Sequence, residues 1–195
     1  MSEQTNIFYN RFSFFYPVVD VFLKPQKEKL FSEINLLPNG RLLEIGVGNG
    51  AHFSLYKKHH ITGIDTSEAM LKIAQRNCPG NIQVLKMDGA ALLFDADTFD
   101  YVVLSHVIAV VDDPDQLLKE VMRVLKPKGK VFILNHFTPD NWLNYIDRAF
   151  SAIAKRLHFK SFFRIGDVIP AQNFTLLKEY PFWLSYFKLL IYQKK

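Results

Sequence analysis

The chain has 195 residues, of which 49% are hydrophobic and 22% are charged, and this composition excludes a disordered or fibrous protein. The length predicts a single domain over residues 1–195, large enough to bury a full core. The only cysteine, Cys78, excludes an intramolecular disulfide and suits a reducing cytoplasm. No apolar run reaches the roughly 18 residues that span a bilayer, and six scattered histidines with one cysteine predict no metal site.

The predicted elements begin with a mostly helical segment over residues 5–37, which we expect Pro17 and Pro25 to interrupt. Short apolar runs then alternate with helical patterns, which is typical of βαβ units. Thr66 or Ser67 is expected to cap one of these helices, and Asp112 or Asp113 another, with Pro114 at its first position. The strands are predicted near 41–46, 61–65, 82–87, 99–105 and 130–136, and the helices near 50–58, 67–76 and 113–125.

The predicted central strands are almost entirely apolar, which a sheet covered on both faces requires. After Pro139 the pattern changes to a helix over 140–158 and two β-like runs at 174–180 and 186–193. Only a few residues separate those two runs, so we expect them to pair antiparallel at the edge of the sheet.

The first strand ends in three glycines on alternate positions, Gly46, Gly48 and Gly50, and Asp65 ends the second strand. Backbone can approach a ligand closely at such a turn because glycine has no Cβ. An acid about 20 residues further on suits two ribose hydroxyls. The pattern therefore predicts a nucleoside-bearing cofactor. The same glycine string fits the dinucleotide fingerprint, so a nicotinamide reductase and a non-catalytic binding protein remain alternatives.

Two further acids separate these alternatives. Glu44 lies two residues before the first glycine, and Asp88 follows the third strand at the same sheet edge. With these motifs in this order, residues 40–136 resemble the class I S-adenosylmethionine-dependent methyltransferases. The resemblance implies an α/β fold, Rossmann-like and doubly wound, with a mostly parallel seven-stranded sheet. It also implies a cofactor-binding core over 40–136, a helix and antiparallel hairpin over 137–195, and an N-terminal helical lid or membrane-facing segment over 1–37.

The resemblance also implies roles for individual residues. The glycine loop would cradle the methionine and ribose of S-adenosylmethionine, Asp65 would hold the ribose hydroxyls, and Asp88 would accept from the adenine amine. Met70 would pack on the adenine ring and Glu44 would face the amino-acid end of the cofactor. Each position also has a structural alternative, as a turn, a helix cap or plain core. The remaining candidates for cofactor binding are Thr66, Gly89 and Ser105.

Three segments outside the cofactor motifs, 9–16, 107–114 and 134–137, are similar to bacterial phosphatidylethanolamine N-methyltransferases. That resemblance implies methylation of a phospholipid amine towards phosphatidylcholine, by a cytoplasmic protein that contacts the anionic inner face of the membrane. A methyltransferase of a small soluble metabolite, such as a quinone precursor, is the alternative. Nucleic acid is not expected as a substrate, because residues 105–108 lack the Asn/Asp-Pro-Pro-aromatic element of base-amine methyltransferases.

The helical spacing of Phe8, Phe12, Phe15, Val19 and Phe22 predicts an apolar stripe, and Lys24, Lys27 and Lys29 follow it. The stripe would lie either in a membrane interface, with the lysines on phosphates, or on the protein's own sheet as a lid.

Four residues are candidates for catalysis. Tyr9 and Tyr16 would form an aromatic cage for the methylated ammonium or bind the cofactor carboxylate. His106 and His136 end predicted parallel strands, where open α/β sheets place their chemistry. His106 would take a proton and His136 would position the lipid phosphate. Buried hydroxyls and strand-end histidines bonded to a loop are the structural alternatives for these four.

Overall fold

The computed structural model describes residues 16–136, 173–183 and 186–195, with side chains from residue 23 onward. We number three helices and seven strands in chain order. The helices are α1 (Tyr16–Asn35), α2 (Glu68–Asn77) and α3 (Pro114–Val124). The strands are β1 (Arg41–Ile45), β2 (His60–Asp65), β3 (Ile82–Lys86), β4 (Phe99–Ser105), β5 (Leu125–His136), β6 (Phe174–Phe182) and β7 (Phe187–Lys194).

The strands form one seven-stranded sheet in the order β3-β2-β1-β4-β5-β7-β6. The first five strands of that order are parallel to their neighbours. The last strand in the chain, β7, enters antiparallel beside β5, and β6 pairs antiparallel with β7 at the edge. The predicted Rossmann-like, mostly parallel sheet with a C-terminal antiparallel hairpin is confirmed.

Apolar side chains cover the sheet on both faces, because alternate residues of each strand point to opposite sides. Leu43 and Ile45 of β1 pack with Leu117 and Val121 of α3 on one face. Leu42 packs on the other face, in a cluster that α1 and α2 complete. The residues that the two helices contribute to that second cluster are Leu30, Phe31, Ile34, Leu71 and Ala74, all buried.

Helix α1 continues through Pro25, so the prediction of a break there is wrong. A proline inside a helix removes one hydrogen bond and crowds the preceding turn. The residues after it offset that cost, since Leu30 and Ile34 are almost completely buried on the sheet. Pro17 lies in the first turn of the same helix, where a missing N–H disrupts no intrahelical bond.

The predicted helix over 50–58 is also wrong, because only a short 3₁₀ turn, Phe53–Leu55, forms in this region. The side chain of Asn35, at the end of α1, supplies the physical reason. Its amide Nδ2 donates to the carbonyl of Leu55 at 2.9 Å, and its Oδ1 accepts from the N–H of Lys57 at 3.1 Å. These bonds occupy backbone groups that a continuing helix would use, and the chain turns towards β2.

The helix caps agree with their predictions. Ser67 accepts from the N–H of Met70 before α2, and Asp113 accepts from the N–H of Gln116 before α3. Helix α3 ends at Val124, close to the predicted end, but β5 then begins at once rather than at residue 130. The additional residues pair irregularly, since Phe99 faces Leu125 whereas Tyr101 faces Lys130. Three additional residues of β5 therefore stand opposite this step of β4, and the segment containing Pro127 and Gly129 is an irregularity at the start of the strand.

A buried carboxylate joins α1 to the edge strand β6. Glu33 accepts from Lys178 Nζ at 2.8 Å and from the Tyr180 hydroxyl at 2.7 Å, and Lys29 Nζ lies 2.9 Å from the same carboxylate. Burial alone would raise the pKa of Glu33, but these three donors hold it at about 2. The contact links residues that are 145 positions apart in the chain.

Several predictions lie outside the described residues: the helix over 140–158, the stripe residues Phe8, Phe12 and Phe15, and Tyr9. Tyr16, Val19 and Phe22 lie in α1, where the description covers the backbone alone. Among the helices of the described part of the chain, none combines the length and apolarity needed to cross a bilayer.

Candidate active site

A cavity of about 1220 Å³ opens at the carboxyl ends of the parallel strands. Open α/β sheets bind their ligands at this edge, where the loops that follow the strands converge. The cavity brings together most of the residues predicted from sequence. These are Glu44, Gly46, Gly48, Asp65, Thr66, Met70, Asp88, Gly89, Ser105, His106 and His136.

The carboxylate of Asp65 anchors the glycine loop. Its Oδ2 accepts from the N–H of Gly48 at 2.8 Å, and its Oδ1 accepts from the N–H of Ser67 at 2.8 Å. Gly48 has a φ of +55°, and a Cβ added there would meet no atom within 4 Å. The loop backbone is therefore open to a ligand at Gly48, with the Asp65 carboxylate beside it.

Gly50, a predicted cofactor-binding residue, is not among the residues that line the cavity. Its φ is +68°, and a Cβ at this position would lie 2.4 Å from the ring of Phe53. That ring is completely buried. Gly50 therefore serves the turn and the packing beneath it.

Glu44 lies at the base of the cavity and is 2% exposed. His52 Nε2 contacts its carboxylate at 2.9 Å, and the Tyr56 hydroxyl donates to its Oε2 at 2.9 Å. Burial, together with the Glu44 charge, raises the pKa of Tyr56 well above its usual value. Phe31 of α1 packs edge-on against Tyr56 at 4.8 Å between ring centroids. The carboxylate is thus held in place by two side chains of the 3₁₀ region.

Two further predicted residues, Met70 and Asp88, also line the cavity. Met70, in the first turn of α2, lines the cavity as a partly buried apolar side chain. Asp88 is exposed, and its Oδ1 accepts from the N–H of Ala90 at 2.9 Å within a turn. Part of the Asp88 carboxylate therefore stabilises the loop after β3, as in the structural alternative considered for it.

His106 follows β4 in a left-handed backbone conformation, with a φ of +58°. Its N–H donates to the carbonyl of Leu134 at 2.7 Å, which ties the loop to β5. Burial, and then the positive charges of His136 and Lys27, lower the pKa of His106 to about 4. The imidazole is therefore neutral at physiological pH, and its Nε2 has no hydrogen-bond partner among the described residues.

The end of β5 and the start of β7 form the next part of the wall. His136 is 8% exposed and stacks on Tyr186, with ring centroids 5.9 Å apart. Phe187 packs edge-on against both His106 and His136. Asn135 is 1% exposed, and its Nδ2 donates to the carbonyl of His136 at 3.2 Å. This region adds an aromatic cluster and a buried amide to the cavity.

Several residues that line the cavity or contact Glu44 are not among those predicted from sequence. The pattern held a signal for His52, since it follows the glycine loop by two positions and precedes Tyr56 by four. The sequence also held a signal for Asn135, since this polar residue directly precedes His136 at the end of a predicted parallel strand. Tyr186 and Phe187 carried no signal, because only the antiparallel insertion of β7 beside β5 brings them to the cavity.

The sheet order and the cavity at its carboxyl edge define a Rossmann-like methyltransferase fold. Residues 43–133 match the family described as a methyltransferase domain. The chain is 32% identical over 149 residues to a phosphatidylethanolamine N-methyltransferase of Cereibacter sphaeroides, and the match covers 73% of each protein. The chain therefore belongs to the class I S-adenosylmethionine-dependent methyltransferases, and S-adenosylmethionine is its cofactor. This family membership removes the nicotinamide and non-catalytic alternatives.

Two other methyltransferases are also similar to this chain, one in sequence and one in fold. A demethylmenaquinone methyltransferase of Renibacterium salmoninarum is 30% identical over 131 residues, and the match spans 55% of that protein's length. The crystal structure of a Thermotoga maritima methyltransferase, described as a possible histamine N-methyltransferase, shares the fold with a TM-score of 0.72. That similarity covers 98% of both chains at 24% identity.

Proposed function

We propose that this protein transfers methyl groups from S-adenosylmethionine to the primary amine of a phospholipid head group, converting phosphatidylethanolamine towards phosphatidylcholine. The observation that carries the proposal is a cavity that combines a cofactor end with a buried, aromatic acceptor end. The cavity volume of about 1220 Å³ exceeds the 300–1000 Å³ typical of single-ligand pockets, which leaves space for an acceptor. The relative that is 32% identical over 73% of this chain is a phosphatidylethanolamine N-methyltransferase.

The cofactor end has donors and acceptors that suit S-adenosylmethionine. Asp65 would bind the ribose hydroxyls beside the open backbone of Gly48, and Glu44 would face the amino-acid end. Met70 would pack on the adenine ring, and Asp88 would accept from the adenine amine. When bound, the cofactor supplies an electrophilic methyl group on a positively charged sulfur. The chain's own task is to orient a neutral nitrogen towards that methyl group and to exclude water.

The acceptor end has the charge and polarity that a phospholipid head group requires. Lys27 of α1 lines the cavity, and its charge acts on His106. A lysine here would attract the lipid phosphate, with His136 as a second contact. His106 is neutral and, with a pKa of about 4, binds a proton weakly, so its imidazole would accept a hydrogen bond from the neutral amine, and the proton that the substrate ammonium loses before attack would pass to solvent. Tyr9 and Tyr16 would complete an aromatic cage around the product ammonium.

The exposed surface gives weaker support for contact with a membrane. Two lysines of α1 form ion pairs within the helix, Lys24 with Glu28 and Lys29 with Glu33. A third lysine of α1, Lys27, lines the cavity. Of the described apolar residues, Leu36 is 76% exposed and Trp183 is 53% exposed. We propose that the protein acts peripherally, at the inner face of an anionic membrane.

The similarity to a demethylmenaquinone methyltransferase supports a second candidate, a quinone precursor as the methyl acceptor. Incubation with radiolabelled S-adenosylmethionine and vesicles of phosphatidylethanolamine and phosphatidylglycerol tests the first candidate. We expect label in mono- and dimethylated lipid. A short-chain demethylmenaquinone in detergent is the competing substrate. Label in the quinone and none in the lipid would replace the proposal with the second candidate.

A further inference from the structure

Among the buried polar atoms at the acceptor end of the cavity, Oδ1 of Asn135 and Nε2 of His106 lack hydrogen-bond partners within the described part of the chain. Both residues line the same cavity. Leaving a buried polar atom without a partner is costly, so in a native site such atoms bond to a ligand or to ordered water.

The orientation of Asn135 follows from its other contact. Because Nδ2 donates to the carbonyl of His136 at 3.2 Å, the amide oxygen is the atom that remains available. The side chain is 1% exposed and sits at the end of β5, where β4 and β7 flank it. It is therefore a fixed hydrogen-bond acceptor rather than a surface amide that bonds to bulk water.

The position of His106 is set by its backbone conformation and by two contacts. A φ of +58° is uncommon for a residue other than glycine and is unfavourable, so the surrounding structure must hold the residue in this conformation. The hydrogen bond from its N–H to Leu134 and the edge-on contact with Phe187 hold it there. A neutral imidazole presents an unprotonated nitrogen as an acceptor when the other nitrogen carries the hydrogen.

We infer that Asn135 Oδ1 and His106 Nε2 together recognise the two N–H groups of a neutral primary amine. A neutral primary amine has two N–H donors and one lone pair, so two acceptors satisfy both donors and leave the lone pair uncommitted. The inference deepens the proposed function and rests on it, because it assumes that the acceptor is an amine. It assigns Asn135 and His106 the role of specificity determinants for the amine.

The inference has a consequence for successive methylation. Each methyl group added removes one N–H, so a monomethylated amine has one donor and a dimethylated amine has none. Recognition by two acceptors therefore favours the unmethylated amine, and the preference declines along the series. A cage of aromatic rings alone predicts no such decline, because cation–π attraction does not require N–H groups.

The test is a binding titration on the full-length protein saturated with S-adenosylhomocysteine. The probes are dihexanoyl phosphatidylethanolamine and its mono- and dimethylated forms, below their micellar concentrations. For the wild-type protein we expect affinity to fall by on the order of tenfold for each N–H removed. Asn135→Leu should abolish most of that preference, and Asn135→Asp, which keeps the oxygen, should retain it.

His106→Asn is the second variant, because asparagine tolerates the left-handed backbone while its shorter side chain withdraws the acceptor. It should also flatten the affinity series. Asn81→Leu is the matched control, since Asn81 donates to the carbonyl of His59 away from the cavity. An affinity series unchanged in both Asn135→Leu and His106→Asn would overturn the inference, as would a wild-type series that is flat.

The outcomes separate this inference from the proposed function. Wild-type protein that binds S-adenosylhomocysteine but neither binds nor methylates any of the three lipids contradicts the proposed function, and the inference falls with it. Wild-type protein that methylates the lipid, with an affinity series unaffected by substitution at Asn135 or His106, contradicts the inference alone. Unfolding temperatures within about 5 °C of the wild-type value would show that the variants are folded.

Discussion

Replacing Asp65 by alanine should weaken cofactor binding while leaving the fold intact. The carboxylate lines the cavity and accepts two backbone N–H groups, from Gly48 and Ser67, each at 2.8 Å. The substitution therefore removes the proposed acceptor for the ribose hydroxyls. It also releases the glycine loop that must approach the ligand.

The size of the effect follows from the kind of bond that is lost. Hydrogen bonds to a charged group contribute about 1.5–3 kcal/mol, which corresponds to a roughly 10- to 150-fold increase in the dissociation constant. Loss of the two loop contacts should also lower the free energy of unfolding by about 1–2 kcal/mol. Isothermal titration with S-adenosylhomocysteine measures the first quantity, and urea unfolding measures the second.

Asp100→Ala is the matched control for this substitution. Asp100 also accepts a backbone N–H, from Arg41 at 2.8 Å, and it pairs with Lys126 at 2.8 Å, yet it does not line the cavity. We expect a comparable loss of stability and an unchanged affinity for S-adenosylhomocysteine. If Asp65→Ala behaves in the same way as Asp100→Ala, then Asp65 is a loop cap and the ribose role is wrong.

Three further predictions concern pH and the buried polar contacts. The pKa of His106 is about 4 in the folded protein and 6.5 in a model peptide, so the unfolded state binds more protons between these values. Stability should fall as the pH drops from about 6.5 to 4, and pH-dependent urea unfolding of His106→Asn should lack this component. The pKa of Glu33 falls from 4.5 to about 2 on folding, so Glu33→Gln should remove the loss of stability between those values, measured by acid titration of ellipticity. Glu33→Gln should also destabilise the protein at pH 7, by about 1–3 kcal/mol. Tyr56→Phe removes a donor to Glu44 and should weaken binding of S-adenosylhomocysteine several-fold, measured by titration calorimetry; unchanged affinity would mean that His52 alone orients Glu44.

The central part of the fold could be predicted from sequence because its signals are local. Alternating apolar runs, the cap at Ser67 and the cap at Asp113 each depend on a few neighbouring residues. The errors arose where a distant residue decided the local conformation. Asn35 prevents a helix after the glycine loop, and burial of Leu30 and Ile34 on the sheet carries α1 through Pro25.

The same division applies to the site. Gly48 and Asp65 could be found because a strand-end motif places them together. The placement of Gly50 could not be predicted in the same way. Glycine is needed there because the buried ring of Phe53 leaves no space for a Cβ. The pairing of Asn135 with His106 depends on adjacent strands that are separated by a whole helix in the chain, and no local pattern encodes it.

The position of β7 affects how the sheet is completed during synthesis. Among the described strands it is made last, yet it occupies an interior place between β5 and β6. Until residues 187–194 have left the ribosome, the backbone groups of β5 that pair with β7 lack their partners. This edge of β5 includes the apolar residues Phe132, Ile133 and Leu134. We expect nascent or truncated chains that lack β7 to expose this edge and to aggregate more readily than the complete sheet.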